Sequence, residues 1–178
     1  MQSFLVESEA ILTAWDAYSD EHSDAEGWPL NEVSYGWRMV QRDSETWRAF
    51  QPVRSCAREL LNMAAFQFQH VSAGDVAPHW SPHLRELRHA LDRLEALRDE
   101  HAKARETRRE AEPLPQEEVV DSLAARNEEA WSHLDTWAVK GHVLLDIHAT
   151  ALKRPPRPGH AAPAPARPAS PLRPGRRR

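Results

Sequence analysis

The chain of 178 residues has one cysteine, six glycines, three lysines and no long apolar run. With Cys56 alone, no internal disulfide can form, and nothing points to an oxidising compartment. Few glycines and no alternating runs of Val, Ile and Thr argue against a sheet protein. No segment approaches the roughly 18 apolar residues of a membrane helix. The first residues, MQSFLVESEA, lack the basic and apolar regions of a signal peptide, so a cytoplasmic location is expected. Phosphate-cradling loops, G-x-S-x-G, C-x-x-C and H-E-x-x-H are all missing, which removes the sequence support for most common enzyme chemistries. What is abundant is Ala, Leu, Glu and Arg, at 40% hydrophobic and 28% charged residues, the composition of an all-α domain. Arginine outnumbers lysine 20 to 3, a bias of GC-rich bacterial genomes.

The net charge of -4 conceals two parts of opposite sign. Lys153, Arg154, Arg157, Arg167, Arg173, Arg176, Arg177 and Arg178 give residues 153–178 a charge of +8 with no acid, which leaves -12 on residues 1–152. The same 26 residues hold eight of the fourteen prolines. A helical bundle domain over 1–152 and a disordered basic Pro-rich tail over 153–178 are therefore expected.

Along the domain, apolar spacing predicts four to five helices. Phe4, Ile11, Trp15, Tyr18 and His22 form one face of a helix over 3–22. Gly27 and Pro29 then mark a turn, and Asn31 caps a second helix that is expected to pause near Val40 and restart at Asp43 or Ser44. A third helix is expected over 53–72, with Cys56 in its core. Ser81 and Pro82 suit the start of a fourth, whose Leu84, Leu87, Leu91 and Leu94 have coiled-coil spacing. A last helix over 116–152 presents Val120, Leu123, Asn127, Ala130, Leu134, Trp137, Gly141, Leu144 and His148. The fourth and last helices should form a long antiparallel C-terminal hairpin.

Ten histidines require a test for metal binding. The string WSHLDTWAVKGHVLLDIH, residues 131–148, crowds three of them, but at about 100° per residue they point in different directions. His148 falls among core positions as a half-buried cap. His142 and Asp146 pair on the polar side, and Glu129 with His133 is the best ligand-like pair, lacking a third donor unless His22, His70, His79 or His83 approaches. His79 and His83 flank a helix entry and need not share a face.

EGWPLNEVSYGW, residues 26–37, resembles the loop-to-helix entry of DinB-like and mycothiol-dependent metal bundles. That resemblance implies a metal-dependent enzyme with Glu129 and His133 as the later ligand pair. The position implied for the first ligand is Gly36, which has no side chain to bind with. No cofactor is expected from the residues themselves.

The function expected is a non-enzymatic interaction or accessory protein, with a protein partner or a homodimer, whose tail contacts an acidic partner. A nucleic-acid-associated role is the alternative, since eight cations can displace counterions from phosphates. Trp28, Trp37 and Trp131 are the candidate interface residues: either they are buried by the first two helices, or they mark a contact surface. Trp15, Trp47, Trp80 and Trp137 belong to apolar faces.

Overall fold

The helix-forming composition is realised over most of the chain. The computed structural model of the protein describes residues 1–111 and 116–153, without the side chains of 108–111 and 116–119. α1 spans Gln2–His22, α2 Glu32–Arg54, α3 Ala57–His70, α4 Trp80–Ala111, α5 Gln116–Lys140 and α6 His142–Leu152, with a 3-10 turn at Ala73–Asp75. Among the described residues there is no β-strand, and the domain is an all-α bundle. No described helix is long and apolar enough to cross a membrane. Residues 112–115 and the expected tail beyond Lys153 lie outside the described residues.

The turn between α1 and α2 is tightly specified by side-chain chemistry. Asp24 Oδ1 accepts hydrogen bonds from the backbone N–H of Glu26 at 3.1 Å and of Trp28 at 2.8 Å. Gly27 sits at φ +85°, a conformation that L side chains rarely adopt. The Leu30 N–H then bonds to the His22 carbonyl at 2.8 Å, and Asn31 caps α2 by accepting from Ser34 N–H at 3.0 Å.

α2 departs from expectation by running unbroken to Arg54. The polar string around residue 42 looked like a restart, yet Arg42, Asp43 and Thr46 are buried. Their polar groups are satisfied within the helix: the Thr46 hydroxyl bonds to the Arg42 carbonyl at 2.9 Å, and Arg42 pairs with Asp43. Polarity here is paired burial, so it does not end the helix. α3 starts four residues later than expected, Val53 belongs to the end of α2, and Cys56 at the α3 N-cap is exposed instead of buried.

The core joins Phe4, Phe50, Leu61, Leu87, Leu91, Leu94, Leu134, Trp137 and Ile147, all nearly inaccessible to solvent. Each such side chain contributes about 1.5–3 kcal/mol of hydrophobic stabilisation. All four leucines of the α4 seam are buried, together with Leu97. α4 and α5 pack antiparallel, since Glu86 meets Lys140, His89 meets His133 and Arg93 meets Glu129.

The last helix is not continuous. Gly141 is buried, and a Cβ there would press into the Trp137 carbonyl oxygen and lie 2.5 Å from Met1 Cε. The chain restarts as α6 with Leu144 N–H bonding to Gly141 O, an i→i+3 contact, and α6 packs chiefly on α3. This shift of register buries Val143, Leu144 and Ile147 and leaves His148 exposed, bonded to Gln67 at 2.9 Å. His148 is therefore not a core cap. Val120, near the other end, is 49% exposed and not part of the inner face.

Candidate functional site

Glu129 and His133 lie one turn apart on α5, as their spacing requires. Across from them α4 supplies Arg93, whose Nη2 is 3.8 Å from Glu129 Oε1, and His89, whose ring stands 6.3 Å from that of His133. Partial burial lowers the His133 pKa, and the neighbouring Arg93 and His89 lower it further. A cation facing the pair competes for the carboxylate that a metal would use. Among the described residues, no third His, Cys, Asp or Glu comes within ligand reach of the two.

A different set converges at the other end of α4. His79 precedes α4 and its carbonyl accepts the His83 N–H at 3.0 Å, so the first helical turn aligns the two rings 5.0 Å apart. The helix begins at Trp80, two residues earlier than a Ser81 cap with Pro82 as first helical residue suggested, which is why the two histidines share a side. α6 opens on His142 and carries Asp146 one turn later. One donor atom from each of His79, His142 and Asp146 lies within 4.8 Å of the other two, with all three residues exposed. The His83 ring is 6.3 Å from that of His142, and the Glu86–Lys140 ion pair flanks it.

Each half of this cluster was visible in the sequence: His79-x-x-x-His83 at a helix entry and His142-x-x-x-Asp146 on a polar face. Their convergence was not, because it depends on the start of α4 packing against the start of α6.

The tryptophans divide into two groups. Trp28 and Trp37 are 71% and 69% exposed. Trp131 is only partly exposed, and the Arg42 guanidinium carbon lies 3.7 Å from its ring centre and 4.4 Å from that of Trp15. Arg42 Nε and Nη2 also donate to Asp43 Oδ1 at 2.8 and 2.7 Å. Burial pushes the Asp43 carboxyl up, and the Arg42 hydrogen bond and charge oppose that shift. Trp131 thus holds a cation–π contact with the buried Arg42 guanidinium.

Leu30 and Val33, on the same stretch of chain as Trp28 and Trp37, are 68% and 71% exposed. Beside it runs a groove of about 350 Å³ lined by Val33, Gly36, Trp37, Val40, Val120 and Ala124, with Glu32 and Asp121 as its charged residues. Of the eight tail cations, Lys153 is exposed at the end of α6 and the other seven lie outside the described residues. No protein-family model, curated protein or solved structure matches this chain, so its chemistry has to be read from these surfaces alone.

Proposed function

We propose that this chain is a non-enzymatic interaction protein whose α2 face docks an amphipathic segment of a partner protein with basic flanks. The supporting observation is that Trp28, Leu30, Val33 and Trp37 are each at least 68% exposed within ten residues. Single exposed apolar residues are ordinary, whereas four within ten residues, two of them tryptophans, are what protein contacts use. The ordered turn at Asp24 and Gly27 presents Trp28 without a large loss of loop entropy on binding. Glu32 and Asp121 at the groove select for basic residues beside the apolar anchors, in keeping with the acidic balance of residues 1–152. α5 contributes Val120, Asp121 and Ala124 to the groove, and the basic tail from Lys153 to Arg178 supplies a second contact to acidic groups of the partner.

A displayed peptide library panned on the untagged chain tests the reading. Peptides combining apolar anchors with Arg or Lys should be enriched. Trp37→Glu should then weaken them by about 2 kcal/mol, roughly thirty-fold. No enrichment, or enrichment indifferent to both Trp37→Glu and Val33→Asp, overturns it. A homodimer that Trp37→Glu splits would put a second copy on the face and overturn it as well. For the tail, deleting 153–178 should reduce binding to an acidic peptide. Low-salt binding to duplex DNA that disappears with the same deletion would instead assign the tail to nucleic acid.

A further inference from the structure

We propose that His79, His142 and Asp146 form a binding site for one divalent transition-metal ion of the zinc class, clamping the start of α4 to the start of α6. The three donor atoms lie within 4.8 Å of one another. A tetrahedral ion with ligands at 2.0–2.1 Å needs donors about 3.4 Å apart. Small rotations of three exposed side chains close that difference without moving a helix.

A second feature, independent of the spacing, points the same way. His142 Nδ1 lies 2.9 Å from the Val139 carbonyl oxygen. A carbonyl only accepts, so Nδ1 carries the proton and Nε2 keeps its lone pair for an ion. Metal-bound histidines are oriented by this kind of outer hydrogen bond, which also raises the basicity of the ligating nitrogen. The bond arises locally, from the helix restart after Gly141 that places His142 one turn past Val139.

Two imidazoles and one carboxylate suit zinc and its neighbours, and disfavour calcium and magnesium, which prefer all-oxygen shells. Three protein ligands leave a position for water or a fourth donor. His83 stands beside it, 5.0 Å from His79 between ring centres, with its buried Nδ1 lacking a hydrogen-bond partner. Burial, then the nearby His79 and Lys140, push the His83 pKa down. The site differs from the Glu129 and His133 pair in having no arginine aimed at its carboxylate among the described residues.

Calorimetric titration of the untagged full chain with zinc chloride at neutral pH tests the assignment. One ion should bind per chain. His142→Ala and Asp146→Asn should each weaken it at least about tenfold, the lower bound for disturbing even an outer-shell partner. His133→Ala should leave affinity and stoichiometry unchanged. Because His79, His142 and Asp146 are exposed, these variants should keep the wild-type helical circular dichroism. Cobalt in place of zinc should give the intense visible absorption of a tetrahedral site, absent in His142→Ala. The proposal is overturned by no stoichiometric binding, by affinity unchanged in both His142→Ala and Asp146→Asn, or by equal loss in His133→Ala.

Discussion

Two pairs on adjoining helices carry nearly the same chemistry: Glu129 and His133 on α5, His142 and Asp146 on α6. Each sets a carboxylate and an imidazole one turn apart, and each is half of a possible ion site. The first faces Arg93 and His89 across the α4–α5 seam, so its carboxylate already has a cation. The second faces His79 at the start of α4 and gains a third donor. An i,i+4 pair reports only that two side chains share a face. The helix packed opposite decides whether that face holds an ion, an ion pair or neither.

Leu134 sits beside His133 on the buried face of α5, and Leu134→Ala should destabilise the fold by about 2–5 kcal/mol in urea denaturation. Zinc affinity of the folded fraction should be unchanged; a parallel loss would tie the ion to the first pair. Next in size is the ion itself. Zinc at 100 times its dissociation constant should stabilise the wild type by about 2.7 kcal/mol, read as a higher melting midpoint, and should give no such increment in His142→Ala. Gly141→Ala should cost about 1–3 kcal/mol by overpacking against the Trp137 carbonyl and Met1, and it should weaken zinc because His142 moves with the restart.

The smallest effect is pH. Burial first, and then neighbouring positive or titrating groups, lower the pKa values of His133 and His83 below the usual 6.5 or so of an unfolded histidine. As pH falls below that value, the unfolded chain takes up protons that the folded chain refuses, so stability declines; above it these groups contribute no slope. Metal-free protein should melt at a lower temperature at about pH 5.5 than at pH 7.5. His133→Gln should flatten that dependence, and an unchanged slope would remove His133 from the account.

Much of the fold was legible because burial obeys helical period. The leucine seam of α4, the Asn31 cap and the turn at Gly27 were all readable from spacing and from the backbone demands of single residues. Errors arose where tertiary contact overrode local signals. Arg42 and Asp43 look like a polar interruption, but they neutralise each other between two tryptophan-lined helices. His148 looked inward because the wheel was carried through Gly141 at constant register, whereas the restart there turns α6 toward α3.

By itself, the sequence determined the helical class, the position of most helices and the opposed charges of residues 1–152 and 153–178, because these depend on composition and on neighbours within a turn or two. Tertiary structure decided which polar groups meet. His79 and His142 are 63 residues apart in the chain, and no local period brings them together. Their approach follows from the packing of α4 beside α6.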